Sequence, residues 1–240
     1  MSNTSTQPSH ERRRRRQWAT WLLLAVAIGA IAFIGGGLMG LAPWYTAMIV
    51  GGILVVALAL TLWRQRSRTD EAQFGLRRLL PLFLIAGCVT FGAIQLIPYG
   101  RDHANPPPTG EPDWSSPRTR ELMVNACYGC HSNEVEWPGY SNIAPISWAI
   151  TDHVEEGRDA VNYSEFATNP GEADETIEVI EEGSMPPAYY TLFGLHSQAN
   201  LSNVEIAELI AGLQATPGLS DSETQTEGAG TDSDDDRDED

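Results

Sequence analysis

Three stretches of this chain are apolar on every side of any helix they could form, at residues 18–41, 44–63 and 79–98. At about 1.5 Å of rise per residue the first is about 36 Å long and the second about 30 Å, lengths that cross a bilayer. Ala42-Pro43 breaks the first two into a hairpin, and Pro81 falls in the first turn of the third, where its missing N–H does least harm. Glycines 35, 36, 37, 40, 51 and 52 are small enough to let neighbouring helices approach closely. Trp18, Trp44, Tyr45 and Trp63 stand near the run ends, where amphipathic rings prefer the interface.

Beyond residue 98 the pattern changes to short amphipathic stripes. Residues 99–117 hold Pro106, Pro107, Pro108, Pro112 and Pro117 and read as a stiff, extended spacer. Ser116 followed by Pro117 opens a helix whose apolar face is Leu122, Met123 and Ala126. Further helices are expected over 146–158, opened by Pro145, and over 173–182, stopped by Gly183. The last starts at Ser202, which forms a capping box with Glu205 ahead of the stripe Ile206, Leu209, Ile210 and Leu213. No alternating strand pattern competes, so the fold class is all-α. Four short helices make a thin core, and a buried apolar cofactor would supply surface the chain lacks.

Charge assigns these elements to sides of a membrane. The 240 residues carry a formal charge of −17 with no lysine. Ten of the fifteen arginines precede residue 100, five as Arg12 to Arg16 and five within 64–78. Basic segments stay on the cytoplasmic side, so the N-terminus lies inside, the chain crosses three times, and everything after residue 98 lies outside. Residues 1–17 read as a disordered basic tail; the 24-residue run that follows is too long for a cleaved signal, and a convincing cleavage site is missing. Residues 218–240 read as a disordered acidic tail without the ligand spacing of a calcium loop. An outer part with 29 acids and five arginines argues against nucleic acid as a partner and favours a basic protein surface or a salty environment. No ionisable side chain lies inside the apolar runs, which argues against a proton or ion pathway through them.

The chemistry concentrates at Cys127-Tyr128-Gly129-Cys130-His131. In C-x-x-C-H, two thiols three residues apart share one helical face and can add to the two vinyl groups of a haem, while the adjoining histidine meets the iron. Zinc would need His153 or His196 and crowded use of neighbouring Cys130 and His131; a thioredoxin-like pair expects a βαβ setting; a bare C-x-x-C disulfide constrains little chain. A methionine between a helix end and two prolines, as in Ser184-Met185-Pro186-Pro187, is an odd core filler, and its thioether suits the opposite face of the iron. His153 and His196 are weaker rivals for that position, and His103 reads as a linker residue. Cys88 lies in an apolar run and reads as a small buried hydrophobe.

These residues carry a resemblance. Ile97-Pro98-Tyr99-Gly100-Arg101, Asn105-Pro106-Pro107, the stretch 127–137, Tyr140-Ser141-Asn142-Ile143-Ala144-Pro145, Ser164-Glu165-Phe166 and Met185-Pro186-Pro187 together resemble the bacterial haem-binding domain family. Its members are membrane-tethered proteins with a single c-type haem. The resemblance, over about residues 95–215, implies a cytochrome c-like helical domain at 118–217 with one haem c bound through Cys127, Cys130 and His131. It is compatible with Met185 as distal ligand. In cytochromes c the outer nitrogen of the proximal histidine donates to a proline carbonyl downstream, which makes Pro145 the candidate partner of His131. The expected function is electron transfer rather than enzymatic turnover, at the outer face of a bacterial cytoplasmic membrane, with a basic redox partner. The alternatives are a small-ligand sensor or enzyme with an open iron face, and a redox subunit of a larger, respiratory-type membrane complex.

Overall fold

The computed structural model describes residues 7–66 and 76–219. The acidic tail from 220 onward, residues 1–6 and most of the expected cytoplasmic loop lie outside the described residues. Within them the chain is all helix, with no strand. Three long apolar helices, α1 (Gln7–Leu38), α2 (Pro43–Arg66) and α3 (Leu76–Ile94), are followed by α4 (Pro117–Ala126), α5 (Tyr128–His131), α6 (Ile146–Ala160), α7 (Thr176–Glu181) and α8 (Asn203–Gln214). Short 3-10 turns connect the later ones. Helix α1 takes in the arginine run that reads from sequence as an irregular tail, since arginine is a good helix former and an adjoining apolar helix propagates into it.

Two compact units form. Among the described residues, the first comprises those up to 103 together with 137–153 and the second 104–136 together with those from 154 onward, so α6 contributes residues to both. In the first unit all three long helices contain segments long and apolar enough to cross a membrane: Arg15–Leu38, Pro43–Arg64 and Arg77–Ile94. Helix α2 packs against both α1 and α3. Two of the six small positions explain the close approach: a Cβ on Gly36 would lie 2.5 Å from the Thr46 Oγ1, and one on Gly52 would lie 3.0 Å from the Thr90 Cγ2. Gly35, Gly37 and Gly51 face open space.

The segment 137–153 completes this unit. Trp148 is buried with Leu41, Tyr45, Ile94, Ala144 and Ala149. The Gln95 side-chain amide donates to the Ala144 carbonyl (2.8 Å) and its oxygen accepts from the Ala144 N–H (3.1 Å), so one side chain replaces a backbone pairing. Tyr45 and Tyr99 both donate to the Asp152 carboxylate, and His153 Nε2 donates to the Gly40 carbonyl at 3.0 Å. His103 stacks on Trp137 with centroids 4.6 Å apart and hydrogen-bonds Ser141.

The second unit is built on α4, α7 and α8. Ser116 caps α4 by accepting from the Thr119 N–H at 3.0 Å with Pro117 at the first turn, as its sequence indicates. Ser202 and Glu205 form the expected capping box at the start of α8. Leu122, Met123, Tyr128, Tyr163, Leu209, Leu213 and Leu219 share one core. From Asn105 onward the proline-rich stretch is not a free spacer: Asn105 donates to the Val135 carbonyl at 2.8 Å, and the Thr109 N–H to the Ser164 carbonyl at 2.8 Å.

Candidate haem site

Helix α4 ends at Ala126 with Cys127 as its C-cap, and one further turn, α5, carries Cys130 and His131. The N–H groups of Cys130 and His131 both donate to the Cys127 carbonyl, at 3.1 and 3.0 Å, so the motif closes on itself as a helical turn. Both cysteines are free thiols, although a C-x-x-C turn brings them close in sequence. The Cys127 Sγ lies 3.8 Å from the Met123 Sδ. Burial pushes the Cys127 thiol up to about 12, with Cys130 adding to it. Burial likewise pushes Cys130 up to about 11, against the opposing pull of the Arg158 guanidinium. Burial thus favours the neutral thiol at both positions.

Segment 161–165 is zipped against the residues that follow the motif. The Tyr163 N–H donates to the His131 carbonyl at 2.9 Å and the Asn133 N–H to the Ser164 Oγ at 2.9 Å. The Asn133 amide donates to Glu165 (2.9 Å) while its oxygen accepts from the Asn162 amide (2.9 Å). This registers Val161 beside the histidine, whose Nδ1 is 3.2 Å from the Val161 carbonyl. A carbonyl only accepts, so Nδ1 carries the proton and Nε2 presents a lone pair. Burial lowers the His131 pKa, opposed by the backbone carbonyls of Val161 and Gly157, and the ring is therefore neutral, the state a metal requires.

Val161, not Pro145, is the partner of His131. The Pro145 carbonyl is occupied by the first turn of α6, where it accepts from the N–H groups of Trp148 (3.1 Å) and Ala149 (3.3 Å).

The C-terminal half of α6 backs the motif. A Cβ on Gly157 would stand 2.9 Å from the Cys130 carbonyl oxygen and 3.0 Å from its Cβ, so helix and motif touch backbone to backbone. Arg158 reaches across the same place, donating to the Ser132 carbonyl (2.8 Å), the Ala104 carbonyl (3.2 Å) and the Asn105 side chain (3.1 Å).

Met185 follows the end of α7. Gly183, at φ +68, turns the chain, and the N–H groups of Ser184 and Met185 both donate to the Val179 carbonyl at 3.1 Å. Its side chain is 40% exposed, so Met185 is not a core filler. The loop after it returns to the motif: a Cβ on Gly129 would run into the Tyr190 hydroxyl, and Tyr190 stacks on His196 with centroids 4.1 Å apart. Burial, reinforced by nearby Cys130, raises the Tyr189 hydroxyl to about 12.

Among the described residues, no group of three or more His, Cys, Asp or Glu side chains could hold a metal ion. His153 is hydrogen-bonded to the Gly40 carbonyl, and the His196 ring is stacked on Tyr190. Two thiols and an imidazole on one turn, bedded in methionine and tyrosine side chains, have the chemistry to hold a haem. The residues that fit one are Cys127, Cys130 and His131.

Fold and site together define a haem-binding protein with three helices long and apolar enough to anchor it in a membrane. A family model described as a haem-binding domain matches residues 89–215, and the chain belongs to that family. No curated protein and no solved structure matches it.

The sequence does not point to Val161, Gly157 or the Asn133–Asn162 pair as parts of the site. Val161 acts through its backbone carbonyl, which every residue has. Asn133 follows the motif by two residues and is the one member whose polarity beside the motif could have drawn notice.

Proposed function

We propose that this protein is a monohaem c-type electron-transfer protein, not an enzyme. Cys127 and Cys130 would hold the haem covalently through thioethers, with His131 as proximal ligand and Met185 as distal ligand. The arginine distribution supports an orientation with the N-terminus in the cytoplasm and the haem domain outside the cytoplasmic membrane of a bacterium. The observation that carries the reading is the motif turn itself: two free thiols beside a neutral histidine whose Nδ1 is fixed by Val161 and whose Nε2 is left for iron.

The cofactor's contribution is a one-electron ferric–ferrous couple. The chain's contribution would be to hold the haem through Cys127 and Cys130 and to supply His131 and Met185 as iron ligands in both oxidation states. Val161 orients the imidazole, and buried apolar surroundings with a thioether ligand favour the ferrous state and raise the potential. The acidic outer part suits a basic donor or acceptor protein, in an association that weakens with salt. Such a partner could be a free carrier or a neighbouring subunit in a larger membrane complex.

A second reading follows from the exposure of Met185. If its thioether does not stay on the iron, the open face suits a small-ligand sensor or enzyme. The first test of the leading reading is denaturing electrophoresis of the full chain, matured with haem and stained for it. Haem should migrate with the protein, and Cys127→Ser/Cys130→Ser should lose it. Haem that dissociates from the unmutated chain would refute covalent attachment.

A further inference from the structure

The proximal side of the site is joined to the surface by aromatic rings. The His131 ring lies 6.3 Å from the Tyr163 ring, inclined at 56°, and Tyr163 lies 5.9 Å from Trp114, inclined at 53°. Both separations are within the range of direct ring contact. Tyr163 is 2% exposed, whereas Trp114 is only partly buried, so the series begins inside and ends at solvent. Each member is fixed: the Tyr163 hydroxyl pairs with Thr176 at 2.8 Å, and the Trp114 indole donates to Glu111 at 2.9 Å. Glu111 is in turn held by two bonds from Arg120, at 2.7 and 2.6 Å.

We propose that Tyr163 and Trp114 form an electron port, through which a one-electron donor or acceptor docked at Trp114 exchanges electrons with the haem iron by way of His131. The proposal rests on the haem reading above. In the inward direction the docked donor loses one electron and ferric iron gains it, becoming ferrous; outward, the same electron leaves for an acceptor. Tyr163 and Trp114 bridge the transfer and stay neutral, so no proton moves and no bond forms or breaks. With Met185 on a separate loop, the proximal port would let two partners use different surfaces.

The test uses the full haem-loaded chain in a Cys88→Ala background, with Asp113→Cys carrying a ruthenium polypyridyl label and, separately, Glu182→Cys carrying the same label beside the Met185 loop. On a laser flash, excited ruthenium(II) gives one electron to ferric iron and becomes ruthenium(III). From the label at 113, Trp114→Leu and Tyr163→Leu should each slow this transfer several-fold, while Trp114→Phe and Tyr163→Phe keep the parent rate. From the label at 182 none of the four should matter. The midpoint potential and visible spectrum of Trp114→Leu should stay those of the parent, which excludes a change in driving force. Should Tyr163→Leu fail to fold, Trp114→Leu with its Phe rescue decides. An unchanged rate in Trp114→Leu, or equal slowing from both labels, would overturn the port while leaving the haem reading intact. A parent chain that takes up no haem would overturn both.

Discussion

Gly157→Ala is the sharpest test of how the motif is supported. In the interior of a helix, replacing glycine by alanine ordinarily stabilises by about 1 kcal/mol. Here the new methyl would meet the Cys130 carbonyl oxygen at 2.9 Å, its Cβ at 3.0 Å and its carbonyl carbon at 3.1 Å. None of these is the free end of a flexible side chain. Overpacking of this kind costs about 1–3 kcal/mol, and rigid backbone neighbours place it at the upper end. The net expectation is a loss of about 2 kcal/mol once the helix-propensity gain is offset. Chemical denaturation of the haem-loaded chain, followed by circular dichroism in the Soret region, reads it directly. Gly129→Ala is the control, because there the obstacle is the hydroxyl end of Tyr190, which can swing away. Stabilisation by Gly157→Ala, or an equal loss in both variants, would refute the backbone-to-backbone contact.

Three further expectations follow from the same geometry. Asn133→Ala should cost about 1–3 kcal/mol by stranding the Asn162 amide, and Asn162→Ala added to it should cost far less than on its own; additive losses would dissolve the network. Ser202→Ala should remove about 1 kcal/mol by opening the capping box of α8, and Ser202→Asp should retain most of it, both read by thermal melting. The Glu111 carboxyl is held below its ordinary value of 4.5, chiefly by hydrogen bonds from Arg120, against the opposing effect of burial. Its contribution to stability is therefore complete above pH 4.5 and is lost as the pH falls through the lower folded value. Glu111→Gln should flatten that part of the stability-versus-pH curve, and an unaltered slope would contradict the pairing.

Much of this fold is written in local pattern. Apolar runs long enough to span a bilayer cannot be packed otherwise in so small a chain, and caps such as Ser116-Pro117 and Ser202 with Glu205 act within a single turn. The C-x-x-C-H motif is legible for the same reason, since its geometry is that of one helical turn. Three features escaped because they are tertiary. Segment 137–153 is amphipathic and sits between two parts of the haem-binding region, yet Trp148 and Ala144 are buried with Tyr45 and Ile94 at the ends of long helices. The proline-rich stretch looks like a spacer because proline stiffens it, but Asn105 and Thr109 bind it to the second unit. Pro145 has the residue type expected beside a proximal histidine, and loses the role to Val161 because its carbonyl already serves α6.

Among these experiments the most direct on the central claim is the visible spectrum of the haem-loaded full chain, ferric and ferrous, with and without carbon monoxide. A His131/Met185 electron-transfer site predicts low-spin, six-coordinate spectra in both states, unchanged by carbon monoxide, with the methionine signature abolished in Met185→Ala. Ready carbon monoxide binding by the unmutated ferrous protein would contradict it and place the protein with the small-ligand sensors and enzymes.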